Sequence, residues 1–571
     1  MKKVLLLGGF LAAGVLSSVA FVAPKTYDNA SFQGISPNGQ YLVSSLYGTV
    51  ILYDLTNGTE QEFLVDDVSG EYYDVGLGNC ISNTGILLGH TSYEYRPTYW
   101  DGKEWKELDL DGREVAAGWY INGITPDGSR ICGSIGNAEI DLNQDNTMLL
   151  PAIWDRQADG TYGKLVELPH PDTDFLGSVP QYITANYISE DGKVVAGQIV
   201  DCTGRFNWPI VYIEGADGKW TYKLLVENLF NPEGIVLPEN PGEGPVMPSD
   251  LDYMSGEEVA AYQDAYNTWA NNGYTGDMPS AADFMTPEHK AAYEAAIEQW
   301  KADFAAYSEK SDAYYETFDA IIASTPAFEF NDVHMTPDGK KFISSTMTSV
   351  EVPGSWFPQT SYTPWVIDIE SGEVTKYDGG TESLIVCCVP NNDVILASNG
   401  VGTVPMLGYQ LKDGKVTPIQ DVISADSPEL ATWIKENMTH TLETYDAEKD
   451  EFANVDMLVT GMPYASSDFG VVAMWNDAPW DDYKFAFGYI FDMSNYSGVS
   501  DAVADANVKV WVADGTLHVE GDVNAVAVYD IAGRCVFNAG VDGAASCSLD
   551  KGVYIVNAST AGGMYTTKVA N

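Results

Sequence analysis

The sequence predicts a mainly β protein: a seven-bladed β-propeller, with six or eight blades as alternatives, carrying a helical insert and a C-terminal immunoglobulin-like β-sandwich. Three observations lead there. A short turn-plus-strand phrase recurs along residues 25–495. Residues 238–325 interrupt that recurrence with aromatic residues at helical spacing. From about Asp501 the phrase is gone and short strand-like runs continue to the end of the chain.

The phrase is an apolar residue, Ser or Thr, two turn residues, Gly, then a strand. It stands as Ile35-Ser36-Pro37-Asn38-Gly39, Ile81-Ser82-Asn83-Thr84-Gly85, Ile124-Thr125-Pro126-Asp127-Gly128, Ile188-Ser189-Glu190-Asp191-Gly192 and Met335-Thr336-Pro337-Asp338-Gly339. Degenerate copies begin at Val389 and Ser466. Pro presets φ, Asp or Asn bonds its own backbone and Gly takes a positive φ, which together make a tight turn. Each copy is followed by a second strand ending near an acid or a turn, such as Val50–Asp54 or Pro364–Asp368, and most copies by a third run, such as Gly372–Tyr377. With the residues before the turn this gives four strands per unit, repeated as propeller blades are. Setting aside an insert at 238–325 brings the long step between the anchors at 188 and 335 close to the other steps. The last unit lacks a fourth strand after Asp492, and Lys25-Thr26-Tyr27 are placed to supply it and close the ring. These phrases resemble the Tol-B-like and HAF-type propeller repeats of secreted bacterial proteins. That resemblance implies fold and says little about chemistry.

In the insert, Pro- and Gly-rich residues 238–250 read as a linker. Ser255 and Glu258 form a capping box ahead of Val259, Tyr262, Tyr266 and Trp269. Thr286-Pro287 starts a second helix, whose stripe runs through Tyr293, Ile297, Trp300, Phe304 and Tyr307, breaks at Ser311, and resumes through Tyr314, Phe318 and Ile321. Packing is the expected use of that stripe.

The chain has 571 residues, 29 basic against 82 acidic, and a formal net charge of −53. Nucleic acid and anionic membrane surfaces, which need a basic footprint, are excluded as expected partners. Met1-Lys2-Lys3, the apolar run Val4–Leu16 and Ser18-Val19-Ala20 read as a signal peptide cleaved after Ala20, with Ala23 as the alternative. No membrane span is expected in the mature chain. Seven scattered cysteines do not make a disulfide framework, although Cys535 and Cys547 are a candidate pair.

No Gly-x-Ser-x-Gly elbow, His-Glu-x-x-His motif or phosphate-binding loop is present, so no catalytic residue is assigned and no cofactor is expected. Asp141, Asn143 and Asp145 alternate oxygen ligands as a calcium loop does, but the sixth position is not Gly and the twelfth is Ala152, which favours a solvated hairpin. Trp475, Trp480 and Asp481, with Asp477 and Asp482 nearby, mix aromatics and carboxylates as sugar-binding loops do. His334 sits at a repeat turn.

The tail, 501–571, carries Tyr529-Asp530-Ile531-Ala532-Gly533-Arg534, then Leu549-Asp550-Lys551-Gly552-Val553-Tyr554-Ile555-Val556, then Thr567-Lys568-Val569. Order, spacing and terminal position resemble the C-terminal sorting domain of type IX secretion in Bacteroidetes. The resemblance implies that Gly552, Tyr554 and Lys568 belong to a sorting signal, that the export machinery is a partner, and that the protein passes through the periplasm to the outer cell surface or the medium. The expected function is a secreted or cell-surface, non-enzymatic propeller that binds a glycan or a protein. The alternative is an extracellular carbohydrate-active or peptide-cleaving enzyme with acidic residues on blade loops.

Overall fold

The computed structural model describes residues 21–496 and 508–570, apart from residue 47, segments 65–72, 77–78, 93–94, 114–119, 138–146, 202–203, 330–331, 351–358, 381–382, 401–404, 447–450 and 478–485, and residues 514, 522, 531–533, 542, 550 and 561–562. Ala20, Asp141, Asn143, Asp145, Trp480, Asp481 and Asp482 lie outside the described residues.

The molecule is mainly β, and its sheets are arranged as the blades of a β-propeller. Between Lys25 and Asp492 the described strands form five four-stranded antiparallel sheets, one nine-stranded sheet and a separate hairpin. We number the sheets along the chain: sheet 1 (residues 32–63), sheet 2 (73–107), the nine-stranded sheet 3 (120–224), sheet 4 (334–376), sheet 5 (385–418) and sheet 6 (462–492). Sheet 6 takes its outer strand from the other end of the described chain: Lys25–Asp28 pairs antiparallel with Ala486–Asp492, Lys25 opposite Ile490 and Asp28 opposite Phe487. In sheet 3 a single parallel pairing, Leu149 with Tyr182, links two otherwise antiparallel halves.

The recurring Ser/Thr turn explains why each unit folds alike. The Ser36 hydroxyl donates to Asn38 Oδ1 at 2.7 Å and accepts the Tyr41 N–H at 2.9 Å. Thr125, Ser189, Thr336 and Ser466 repeat this with Asp127, Asp191, Asp338 and Asp468, each at 2.8 Å. In the degenerate copy at Val389, Asn391 Oδ1 takes over by accepting the N–H groups of Asp393 and Val394. Neighbouring turns are also bonded to one another. Asn38 N–H reaches Asn83 Oδ1, Asn83 N–H reaches the Pro126 carbonyl, and Arg130 reaches the Gly192 carbonyl. Glu190 N–H donates to Pro337, Asp338 N–H to Asn392, Asn391 to Ser467, and Ser467 N–H back to Pro37.

The apolar cores lie between neighbouring sheets. One cluster joins sheets 1, 2 and the first half of sheet 3 around Trp154, Leu87 and Val43. Another joins the second half of sheet 3 to sheet 4 around Tyr212, Phe342 and Ile367. Further clusters join sheet 4 to sheet 5, sheet 5 to sheet 6, and sheet 6 to sheet 1.

In the insert, α1 is Gly256–Asn271 and α2 is Pro287–Ser324. The expected capping box at Ser255 is present. Although the stripe is interrupted at Ser311, α2 runs on to Ser324, because a single polar residue costs little propensity. Only Tyr314, Phe318 and Ile321 of α2 are buried, and Phe318 and Ile321 pack with Phe206 of sheet 3. Two short helices, α3 (Ile419–Ile423) and α4 (Pro428–Asn437), cover sheets 5 and 6, ahead of the hairpin Thr439–Asp446 and Glu451–Leu458.

The tail forms its own two-sheet module. Lys509–Ala513, Thr516–Glu520 and Ala544–Ser548 make one sheet; Cys535–Gly540, Val523–Asp530, Val553–Thr560 and Gly563–Ala570 make the other. Leu517 and Val519 of the first share a core with Val526, Val528, Tyr554 and Val556 of the second. Cys535 and Cys547 stand one on each sheet and are both free thiols, which corrects the candidate bridge.

Candidate functional site

A cavity of about 460 Å³ opens among the first strands of the sheets. Its wall takes Val75 from sheet 2, Asn122 and Tyr187 from the two halves of sheet 3, His334 from sheet 4, Cys387 from sheet 5 and Tyr464 from sheet 6. Those strands end in the Ser/Thr turns, where a second, smaller space of about 50 Å³ lies beside Pro37, Pro126, Pro337 and Pro390. Tyr187 and His334 line both spaces, with ring centroids 6.2 Å apart.

The polar heart of the larger cavity comes from the segment joining α2 to sheet 4. Its backbone is tied down on both sides. Asn207 Nδ2 donates to the Phe328 carbonyl at 2.7 Å and Gln198 Nε2 to the Glu329 carbonyl at 2.9 Å. The Glu329 N–H donates to the Ser345 carbonyl. Asp332 is 8% exposed. It accepts the Ser345 N–H at 2.8 Å and lies 3.2 Å from His334 Nε2. Glu329 lines the same space, and burial together with the Asp332 charge pushes its carboxyl above the usual carboxylate range. Burial, Glu329 and Asp332 likewise raise the Tyr362 hydroxyl. Burial lowers His90, against the pull of Asp74, so its imidazole is neutral at pH 7. A cavity of this size with a few convergent polar groups on an apolar wall is the form small-molecule sites take.

His334, placed at a repeat turn by the sequence, lines this cavity, whereas Trp475, Gly552 and Tyr554 do not. Trp475 lies on the Val471–Asp477 strand, is 8% exposed, and packs with Tyr464, Ala473 and Ile490; its place is in the core. Gly552 is an exposed turn residue beside the Tyr554 ring, Tyr554 is buried in the tail core, and Lys568 stands opposite Ile555 on the last strand. The acids and His334 of the cavity were not distinguished by sequence reasoning.

No family model matches the chain, and no curated protein matches it by sequence. Among solved structures, the chain is similar to one in the crystal structure of the Mitotic Checkpoint Complex, at 9% identity and a TM-score of 0.34, over 86% of this chain and 99% of that one. It is also similar to U3-55K, at 6% identity and a TM-score of 0.34, over 82% and 98%. A puromycin-hydrolyzing peptidase from Mycobacterium tuberculosis aligns at 8% identity and a TM-score of 0.32, over 77% of this chain and 49% of that one.

Proposed function

We propose that this protein is a secreted or cell-surface binding propeller of seven blades, closed into a ring, whose central cavity takes a small hydroxyl-bearing ligand such as a glycan unit. The cavity carries the proposal: tyrosine rings, asparagines, histidines and the carboxylates of the segment before sheet 4 converge on one space. Seven blades follow from counting sheet 3 as two, since one parallel pairing joins its halves. Closure is supported by the chain of turn-to-turn hydrogen bonds returning from Ser467 to Pro37, and by the Lys25–Asp28 strand in sheet 6. The tail serves as the sorting domain. Ligand-observed NMR with a monosaccharide panel tests the cavity: binding lost on Tyr362→Ala supports it, and no saccharide binding to the folded protein overturns it.

One observation favours a second reading. Glu329 has a raised carboxyl pKa beside Asp332, the division of roles that a general acid and a carboxylate need in glycoside hydrolysis. Turnover of a polysaccharide, abolished by Glu329→Gln, is the result that would replace binding by catalysis.

A further inference from the structure

Charge in the cavity is unbalanced. Among the described residues its lining includes Glu329 and Asp332 but no Lys or Arg. Asp332 is already engaged, by the Ser345 N–H and by His334. His90, the other basic group in the wall, is neutral at pH 7 and stacks against Tyr95 at 5.6 Å. Among the described residues nothing donates to the Glu329 carboxylate, although its backbone is held by Gln198 and Ser345. A half-buried carboxylate without a partner is costly, and an incoming positive charge relieves that cost.

The same wall offers the rings of Tyr187, Tyr362 and Tyr464. Aromatic faces attract a cation, more so where water is displaced. The space is far larger than a bare ion, and among the described residues no cluster of His, Cys, Asp and Glu is arranged to hold a metal. An ammonium group on a body the size of a sugar meets all of these conditions. We infer that the cavity binds an organic cation of the amino-sugar class, with Glu329 as its counter-charge and the tyrosines and Asn122 against its body. This rests on the proposal that the cavity is a ligand site.

The test uses the mature full chain and three pyranoses of one size: glucosamine, glucose and glucuronate, titrated at neutral pH and moderate salt. Glucosamine is expected to bind at least tenfold more tightly than the other two. Glu329→Gln should weaken it about tenfold, equal to about 1.4 kcal/mol. Glu309→Gln, on the exposed face of α2, should change nothing, which separates the site from the general pull of a −53 protein. If Glu329→Gln does not fold, Asn122→Lys places a positive charge in the same wall and should abolish glucosamine binding. Glucose or glucuronate binding as tightly as glucosamine would overturn the cation while leaving the cavity a ligand site. Glucosamine binding indifferent to both variants would also overturn it. Failure of all three sugars to bind would overturn the ligand site itself.

Discussion

Single residues carry both the repeat and the cavity. Ser189 is fully buried; it donates to Asp191 and accepts the Val194 N–H at 3.0 Å. Ser189→Ala leaves that N–H without its side-chain partner and should cost about 1–3 kcal/mol, read as a lower denaturation midpoint at unchanged m-value. Gly197 is a harder constraint. A Cβ there would overlap the Thr184 carbonyl, at the point where the Tyr182–Ile183 and Tyr187–Ile188 strands break. Gly197→Ala should cost about 3 kcal/mol or more, checked by the same titration. The serine was legible in the sequence because its turn recurs with fixed chemistry. The glycine was not, because the atom it avoids lies across a sheet, and no local pattern records that approach. Glu329 was illegible for a related reason: its importance comes from which empty space it faces.

At the scale of elements, the insert shows what periodicity can and cannot say. The caps at Ser255 and Thr286 were readable, because capping is local chemistry. Which third of the α2 stripe is buried was not, because that depends on the sheet 3 surface beneath it. Phe318, 1% exposed, meets Phe206 at 5.7 Å with the Arg205 guanidinium over its ring. Replacing 240–325 by a Gly-Ser linker would therefore strip Phe206 of its cover, and the melting temperature should fall. A shorter replacement, 240–309, which keeps Tyr314–Ser324, should melt like the intact chain. The two helix starts are joined through Glu258, whose carboxylate accepts the N–H groups of Ser255 and Thr286 and lies 2.6 Å from His289 Nδ1. Those bonds hold its carboxyl at about 2. A depressed folded pKa means the junction stabilises the arm above the unfolded value of about 4.3 and loses that contribution as pH falls towards about 2. Helical circular dichroism should decline across that window in the wild type. Glu258→Gln should show a weaker decline and a less stable arm at neutral pH.

For the whole molecule, the question is what each end of the chain does. The repeat made the sheets legible, and the missing strand after Asp492 pointed to Lys25-Thr26-Tyr27, because an open edge demands a partner. The contribution of Tyr496 was not legible, since it depends on where the chain folds back. Its hydroxyl donates to the Val22 carbonyl at 2.7 Å and its ring lies 5.9 Å from Phe21, so it clamps the N-terminal segment that leads into the Lys25–Asp28 strand. The tail has its own core and its own two sheets. Stability and export should then separate at a particular place in the chain. Truncation after Ser500 keeps Tyr496 and should leave the melting transition of the propeller unchanged. Truncation after Asp492 removes the clamp and should lower that transition, because the segment before Lys25 loses its anchor. In a host with type IX secretion, the chain ending at Ser500 should accumulate folded in the periplasm while the full chain reaches the surface or the medium. Fractionation with limited proteolysis of each fraction reads both properties at once. Surface delivery of the truncated chain would reduce the tail to a structural or binding appendage, and a drop in its melting temperature would make the tail part of the propeller's own stability.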